Sequence, residues 1–302
     1  MFSVTLAATP EGRAWLAGLP GLVAALEQEW GFRAGEPFGT GVAGWAAPAT
    51  TAGGEEVVLK LSFPHREARE EATALALWDG RGAVRLLRHD RQRWALLLER
   101  CRPGTRLGDA VGSGLPADDA LAVAAASLVG LWSVPPAAEE ASAFERVRDV
   151  CRDWAELVRR RMEELRPPFD AGLVALGASL LEELPAAATR EVVVHGDFNP
   201  GNVLAAEREP WLAIDPKPMV GDPGYDPWPM LLQIAPEPAT AAALRARTER
   251  FADLVGEPAD RLLAWIVARG VESAMWDVSV GLLDDGHAEM AVARNAADAL
   301  QP

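Results

Sequence analysis

The chain has 302 residues, 49% of them hydrophobic, and a mean hydropathy near zero, which is typical of a soluble globular protein with a sizeable core. Its 44 acidic and 29 basic residues give a net charge of −15, which argues against binding to nucleic acid or to anionic membranes. The same charge favours a cationic small molecule as partner, although solubility explains an acidic surface equally well.

The chain shows no sign of a membrane or export segment. Its longest weakly polar run, Ala120 to Trp132, is short and rich in alanine, and the N-terminus lacks a basic region followed by an apolar core. Two cysteines, Cys101 and Cys151, are too few for a disulfide framework and lack zinc-ligand spacing. We therefore expect a cytoplasmic protein, and the choice between monomer and homodimer stays open.

The N-terminal third predicts a helical extension followed by a small antiparallel sheet of about five strands. Apolar residues at helical spacing run from Thr9 to Trp30, with a break expected near Pro20. Between Gly35 and Gly54 the chain is rich in glycine and small residues, including Gly39 and Gly41. Such a stretch suits a hairpin lying over phosphates, and it suits a plain hairpin equally well.

Lysine usage singles out two positions. Of the 29 basic residues only Lys60 and Lys217 are lysines, so a surface cation in this chain would nearly always be an arginine. A retained lysine therefore indicates a site that needs a compact ammonium group. Lys60 lies in an apolar run from Glu55 to Leu61 that predicts a strand. Lys217 is either a phosphate or substrate contact or an ordinary loop residue.

A helix is predicted from Arg66 to Trp78, and two further strands from Ala83 to Arg88 and from Trp94 to Leu98. We assign residues 1–98 to an N-terminal lobe and the turn-rich residues 99–104 to a linker. Residues 105–302 then form a mainly helical C-terminal lobe. Its helices are predicted at Ala117 to Ser133, Ala143 to Leu165, Ala171 to Leu184, Tyr225 to Ile234, Ala239 to Val255 and Ala259 to Leu283.

The most informative segment runs from His195 to Asp215. The apolar run Val192 to Val194 predicts a short strand that delivers His195 and Asp197, and the Pro-Gly that follows prevents an immediate helix. Asn202 follows that turn, and a second apolar run ends in Asp215. Two carboxylates and an amide at the ends of neighbouring strands provide the oxygen ligands that suit Mg²⁺.

This segment resembles the H-x-D-x-x-x-x-N loop of protein kinases. With Gly196 in the middle position and Ile-Asp-Pro where kinases have Asp-Phe-Gly, it is more similar to antibiotic phosphotransferases. The longer run from Ile214 to Pro229 resembles the aminoglycoside/hydroxyurea phosphotransferase family, whose members include streptomycin 6-kinases. Asn199 stands where relatives often carry histidine. The resemblance implies an α+β, protein-kinase-like fold of two lobes, with a five-stranded antiparallel sheet in the smaller lobe.

The resemblance also implies roles at the nucleotide side. Asp197 would accept the proton of the acceptor hydroxyl, while Asn202 and Asp215 would hold Mg²⁺. Lys60 corresponds to the strand lysine of kinases, which contacts the α- and β-phosphates of ATP. Its partner is expected to be Glu71, because Glu-Ala-Thr-Ala-Leu-Ala-Leu-Trp matches the family pattern. The alternatives Glu67 and Glu70 fit a solvated helix face better.

The resemblance also implies roles for the linker, residues 99–104, and for the catalytic loop, His195 to Asn202. In kinase-like folds the linker binds adenine through the backbone, so the Glu99 carbonyl and the Cys101 amide are the expected contacts. The Cys101 side chain is expected to be a small apolar lining group. His195 is expected to support the loop without titrating, and Phe198 to anchor it in the core.

The acceptor is expected to bind in the helical lobe, on the side of Asp197 opposite the nucleotide. The candidates are mainly acidic, since carboxylates beside an indole could hold a guanidinium or ammonium group. They are Asp222, Asp226, Glu272, Trp276 and Asp277. Ordinary capping and core roles remain open for each of them, and Asp226 in particular could cap a helix that begins near Trp228.

The resulting hypothesis is an ATP- and Mg²⁺-dependent kinase that phosphorylates a hydroxyl of a small cationic antibiotic, with streptomycin as the expected type. The same enzyme could act instead on hydroxyurea, another antibiotic class, a sugar or a metabolite. A catalytically silent nucleotide-binding regulator would be expected to lack one of four residues, and all four are present: Lys60, Asp197, Asn202 and Asp215. A metal-dependent hydrolase is disfavoured because the four histidines show no ligand spacing.

Overall fold

The computed structural model describes residues 6–38, 44–234 and 240–301. Within these ranges the chain forms an N-terminal part built on an antiparallel sheet and a larger part built mainly from helices, so the predicted α+β fold class is confirmed. Gly39 and Gly41, part of the predicted glycine-rich hairpin, lie outside the described residues. The lobe boundaries 1–98, 99–104 and 105–302 stay a prediction.

The sheet has the expected five strands within the described residues, in the spatial order β1-β2-β3-β5-β4, and every neighbouring pair is antiparallel. The elements of this region are α1 Pro10–Trp30, β1 Phe32–Ala34, β2 Gly44–Thr51, β3 Glu56–Ser62, α2 Glu71–Trp78, β4 Leu86–Asp90 and β5 Ala95–Glu99. The strand predicted to begin at Ala83 begins at Leu86 instead, because Ala83 forms a bridge to Ala213 in the helical region. The predicted helix from Arg66 is a 3₁₀ turn, Arg66–Ala68, followed by α2.

The two faces of the sheet pack into different cores, as the two-residue period of a strand requires. Leu59 and Leu97 face α1 and form a small apolar cluster with its inner side. Leu96 and Leu98 point the other way, towards Trp78 of α2, and join the large core that continues through the helical region. The central strands β3 and β5 are therefore buried on both faces, whereas the edge strand β4 is largely exposed.

The predicted break at Pro20 is wrong, because α1 continues through that residue. The helix begins at Pro10, where the Thr9 side chain accepts a hydrogen bond from the Gly12 amide, and ends before Gly31 in the left-handed conformation. Pro20 is exposed, so water can bind the carbonyl that loses its helical partner.

The larger region is mainly helical, as predicted, with short strands between its helices. Its helices are α3 Leu107–Gly112, α4 Ala117–Trp132, α5 Ala138–Ala143, α6 Val147–Leu165, α7 Ala171–Ala186, α8 Pro227–Gln233, α9 Ala241–Val255, α10 Ala259–Ser279 and α11 Leu283–Ala299. The sequence prediction omitted α11 and placed the start of α9 at Ala239, which lies outside the described residues. In the described ranges no helix is both long and apolar enough to cross a bilayer.

Two small sheets in this region bring distant segments together. Their strands are β6 Glu145–Arg146, β7 Val192–Val194, β8 Val203–Ala205, β9 Trp211–Ala213 and β10 Met219–Gly221. β10 lies between β6 and β7, while β8 and β9 pair with each other. The loops that leave β7, enter β8 and leave β9 meet at one edge, which faces β3 and α2 of the N-terminal sheet.

Candidate active site

The loop after β7 brings His195 and Asp197 next to the β8–β9 hairpin. Asn202 precedes β8 and Asp215 follows β9, and the Ile214 amide donates to the Asn202 carbonyl at 2.9 Å, which fixes the two ends side by side. Gly196 has φ +82°, and a Cβ there would lie 1.9 Å from the Lys217 carbonyl oxygen, so only glycine fits. Asp215 has φ +57°, a strained value for a non-glycine residue at a site of interest.

Asp197 is held by two amide side chains. Its Oδ1 accepts from Asn199 Nδ2 at 3.0 Å, and its Oδ2 accepts from Asn202 Nδ2 at 3.1 Å. Asn199 also accepts from the Gly201 amide, so it shapes the turn as well as orienting the carboxylate. Burial raises the pKa of Asp197, and the Lys217 charge opposes that shift. A raised pKa makes this carboxylate a better proton acceptor than a solvated one.

Both lysines of the chain converge on Asp215. Lys60 Nζ donates to Glu71 Oε1 at 2.5 Å and to Asp215 Oδ1 at 2.6 Å, while Lys217 Nζ donates to the same Asp215 oxygen at 2.6 Å. Burial alone would lower the pKa of Lys60, but the Asp215 and Glu71 charges raise it above its ordinary value. Burial would raise the pKa of Asp215, and the two ammonium groups instead hold it below its ordinary range. The sequence-based pairing of Lys60 with Glu71 agrees with this geometry.

His195 supports the loop from inside the protein. Its ring is fully buried and stacks on Trp78 with 6.3 Å between the ring centroids, and Nε2 lies 3.0 Å from the Ile214 carbonyl oxygen. Burial lowers the pKa of His195 to about 3, so the imidazole is neutral at physiological pH. Phe198 is also fully buried and packs edge-on against this ring, as expected of a core anchor.

Asp226 lies beneath the loop instead of facing an acceptor. Its Oδ1 accepts from the Gly196 amide at 2.8 Å, and its Oδ2 accepts from the His195 amide at 2.9 Å and from Trp132 Nε1 at 3.0 Å. The carboxylate makes no capping bond to α8, although Asp226 precedes that helix. Burial raises the pKa of Asp226 to about 6. Its geometry is that of a loop-positioning residue.

Asp222 is likewise turned into the protein and only 1% exposed. It accepts from Trp265 Nε1 at 2.7 Å, from the Gly224 amide at 3.0 Å and from two nitrogens of Arg261. All of these donors belong to the protein itself. The sequence-based expectation that Asp222 and Asp226 contact an acceptor is therefore replaced by internal roles, because no lone pair is directed to an open surface.

One of the three α10 candidates, Glu272, contacts a guanidinium that belongs to the protein. Arg269 lies 4.1 Å from the centroid of the Trp154 ring and is also close to the Tyr225 and Trp228 rings. Its Nη1 lies 2.9 Å from Glu272 Oε2. Glu272 thus binds an internal cation, Arg269, which also packs on the Trp154 ring, and does not show the expected arrangement with Trp276 around an acceptor. Sequence inspection missed it because these aromatic rings come from three separate segments.

Asp277 differs from the other acidic candidates. It is 8% exposed, and within the described ranges no hydrogen bond or ion pair to its carboxylate is found. Burial raises the pKa of Asp277, and the nearby charges of Asp285 and Glu272 add to the shift. Trp276 beside it is partly exposed. Within the described ranges this end of α10 therefore carries a carboxylate without a charged partner, and an accessible indole precedes it in the sequence.

The linker is tied to the helical region by an arginine that sequence inspection did not single out. Arg208, in the β8–β9 turn, donates from Nε and Nη2 to the Glu99 carboxylate at 2.8 and 3.0 Å and also binds the Gly80 and Ala83 carbonyls. Burial raises the pKa of Cys101 to about 12, so its thiol is not reactive. In the described part of the chain the Cys101 amide donates no hydrogen bond.

These features define a kinase-fold phosphotransferase. The strand lysine Lys60, paired with the helix glutamate Glu71, faces a cluster formed by Asp197, Asn202 and Asp215. The sequence matches the aminoglycoside/hydroxyurea antibiotic resistance kinase family over residues 33–281, and the chain belongs to this family.

Named relatives cover nearly the whole chain. It is 37% identical to streptomycin 6-kinase of Streptomyces griseus over 94% of this chain and 91% of that protein. It is 38% identical to hydroxyurea phosphotransferase of Kitasatospora aureofaciens, over 93% and 80% of the two chains. Among solved structures, spectinomycin phosphotransferase bound to ADP and spectinomycin superposes with a TM-score of 0.57 at 14% identity, covering 94% of each chain. That structure supports the shared fold.

Proposed function

We propose that this protein transfers the γ-phosphoryl group of ATP, with Mg²⁺, to a hydroxyl of a small cationic antibiotic of the streptomycin type. The observation that carries the proposal is the meeting of two bonded pairs, Lys60 with Asp215 at 2.6 Å and Asn202 with Asp197 at 3.1 Å. The backbone bond from the Ile214 amide to the Asn202 carbonyl, 2.9 Å long, brings the two pairs side by side. Membership of the family and 37% identity to a streptomycin 6-kinase support the choice of acceptor.

On the nucleotide side, Lys60 binds the α- and β-phosphates, and Glu71 keeps its ammonium in place. The Glu71 carboxylate is 2% exposed, so water competes little for the ion pair. The Glu99 carbonyl and the free Cys101 amide receive the adenine base. Nucleotide use is supported by the spectinomycin phosphotransferase relative, whose structure contains ADP.

The donor set fits a magnesium ion. The Asn202 amide nitrogen is directed at Asp197, so its carbonyl oxygen is free to bind a cation, and the second oxygen of Asp215 has no partner in the described ranges. Among the described residues no cluster of three His, Cys, Asp or Glu side chains forms a metal cage. Mg²⁺ in kinases is held by one or two carboxylates together with substrate phosphates, so such a cage is not required. The ion supplies charge neutralisation at the phosphate oxygens.

Asp197 accepts the proton of the acceptor hydroxyl as the phosphoryl group is transferred. Asn199 and Asn202 each donate to one of its oxygens, which orients the carboxylate without neutralising it. Asp226 accepts hydrogen bonds from the His195 and Gly196 amides and thereby fixes the position of the loop that carries Asp197. The protein contributes mainly positioning and charge, which is what phosphoryl transfer asks of it.

The acceptor binds beside α10, where Asp277 attracts an ammonium or guanidinium group and Trp276 stacks on it. The net charge of −15 favours such a substrate. Glu272 contributes less, because Arg269 compensates its charge. Hydroxyurea is the second candidate acceptor, favoured by the 38% identity to hydroxyurea phosphotransferase.

The test is a transfer assay with purified protein, Mg²⁺ and labelled ATP. The acceptor panel contains streptomycin, other aminoglycosides, hydroxyurea and simple sugars, each repeated with Asp197→Ala. We expect transfer to streptomycin, lost in the variant. Transfer that survives in Asp197→Ala would reject this base, and transfer to hydroxyurea alone would select the second candidate. No transfer to any hydroxyl would favour a nucleotide-binding regulator.

A further inference from the structure

The second lysine, Lys217, contacts the same carboxylate oxygen as Lys60 and has no role in the mechanism so far. Both ammonium nitrogens are 2.6 Å from Asp215 Oδ1, so they lie within about 5 Å of each other and repel. An sp² oxygen has two lone pairs, and these two donors occupy both. The two ammonium groups share one carboxylate oxygen, and in the described ranges Lys60 also binds a second carboxylate, Glu71, whereas Lys217 does not.

The two lysines reach Asp215 from opposite sides. Lys60 comes from β3 in the sheet and is hydrogen-bonded on its far side to Glu71. Lys217 comes from the helical region, and its charge is the one that most lowers the pKa of Asp197. The side-chain contacts run from Glu71 to Lys60, Asp215 and Lys217, and the Lys217 amide is bonded to the loop that carries Asp197. Since the acceptor hydroxyl meets the γ-phosphorus at Asp197, Lys217 stands at the γ end.

The backbone of Lys217 is fixed to the catalytic loop. Its amide donates to the His195 carbonyl at 2.7 Å, and its carbonyl oxygen packs against the Cα of Gly196. Prolines on both sides, Pro216 and Pro218, restrict the chain further. The ammonium group therefore starts from a position set by the same residues that position Asp197, and the side chain remains 20% exposed.

The catalytic loop supplies no cation of its own. No lysine or arginine occurs between His195 and Asn202. The Asn199 side-chain amide donates to Asp197 and accepts from the Gly201 amide in the turn. Charge on the transferring phosphoryl group is spread over its outer oxygens, and a positive group aimed at them stabilises the transition state. Of the two lysines that contact Asp215, Lys217 is the one whose backbone is bonded to the loop that carries Asp197.

We propose that Lys217 is a catalytic residue whose ammonium group leaves Asp215 for the γ-phosphoryl oxygens of the bound nucleotide. Lys60 binds the α- and β-phosphates, so the two lysines bind different phosphates of the same nucleotide. The inference rests on the proposed function. If Lys217 formed only a salt bridge to Asp215, its removal would change the affinity for all nucleotides alike.

The experiment compares Lys217→Met with Lys60→Met. Calorimetric titration in the presence of Mg²⁺ measures binding of ADP and of AMP-PNP, a non-hydrolysable ATP analogue. Losing one charge-assisted contact to the γ-phosphate weakens AMP-PNP binding in Lys217→Met roughly 10- to 100-fold, while ADP binding changes less than about threefold. Lys60→Met weakens both nucleotides by similar factors. Turnover in Lys217→Met falls about 10²- to 10³-fold.

Lys217→Arg is the conservative variant, and Lys217→Gln replaces Lys217→Met if the latter does not fold. The arginine variant keeps the charge, so it retains the preference for AMP-PNP over ADP that the neutral variants lose. Equal weakening of both nucleotides in Lys217→Met, or no weakening of either, would overturn the role of Lys217 and leave the proposed function intact. Wild-type protein that binds neither nucleotide would overturn both.

Discussion

Two groups of carboxylates lie within one short stretch of chain and differ in what their oxygens contact. Asp197 and Asp215 face the space between the sheet and the helical region, and the Asp215 side chain is 39% exposed. Asp222 and Asp226 are 1% exposed, and each accepts hydrogen bonds from several internal donors. The first pair can exchange partners with a ligand, whereas every oxygen of the second pair accepts at least one internal hydrogen bond and is shielded from solvent.

The difference shows that the role of a carboxylate depends on which groups donate hydrogen bonds to it, and not on the sequence motif in which it occurs. Asp226 accepts from two backbone amides of the catalytic loop, so it acts on Asp197 through the chain and not through a ligand. Asp222 neutralises Arg261 and fixes Trp265. Asp277, the proposed acceptor contact, resembles the first pair in one respect, because the described residues provide no hydrogen bond or ion pair to its carboxylate.

The largest effect is expected for Asp197→Asn. The amide keeps the size of the side chain but cannot accept a proton, so transfer should fall about 10²- to 10⁴-fold. Thermal unfolding should change little, because only one hydrogen bond to Asn199 or Asn202 is disturbed. Initial rates with labelled ATP provide the measurement. Retention of more than a tenth of wild-type activity would place Asp197 among the internal carboxylates.

Asp222→Asn should cost stability instead of chemistry. Arg261 would keep its largely buried charge without a carboxylate to compensate it, which destabilises a protein by about 3–5 kcal/mol. Urea unfolding followed by fluorescence measures the loss. The matched control is Glu182→Gln, which removes a bidentate but exposed partner of Arg159 and should cost less than about 1 kcal/mol. Similar losses in the two variants would contradict the comparison.

Asp277→Asn tests whether this carboxylate is available to a ligand. We expect the KM for streptomycin to rise about tenfold, the effect of one charge-assisted hydrogen bond, with the KM for ATP unchanged. The variant should also be slightly more stable, because removing a desolvated charge relieves the cost of burying it. An unchanged KM would mean that the acceptor binds elsewhere. A parallel rise in the KM for ATP would indicate a structural role.

The smallest effect is expected for Arg208→Gln. Arg208 orders the linker through Glu99 without contacting the nucleotide itself, so we expect the KM for ATP to rise a few-fold while the KM for the acceptor stays constant. Arg159→Gln, which breaks an equally bidentate pair on the surface, is the control. Should both variants behave like wild type, the linker would not depend on this contact.

Much of the nucleotide side could be predicted from local pattern. The Asp197, Asn202 and Asp215 spacing and the scarcity of lysine are properties of the chain itself, and the strand and helix that carry Lys60 and Glu71 follow from periodicity. The acceptor side could not be predicted in the same way. Arg269 meets rings from α6, α8 and the turn before α8, and no local pattern reports that they converge.

Local pattern was thus sufficient for the fold class and for most helical and strand segments, although not for α11 or for α1 at Pro20, because hydrophobic period and motif spacing act over a few residues. The roles of Asp222, Asp226 and Arg208, and the meeting of Lys60 with Lys217 at Asp215, required the folded chain. Lys60 and Asp215 are 155 positions apart, and burial and the supply of hydrogen-bond donors arise only when such distant segments pack together.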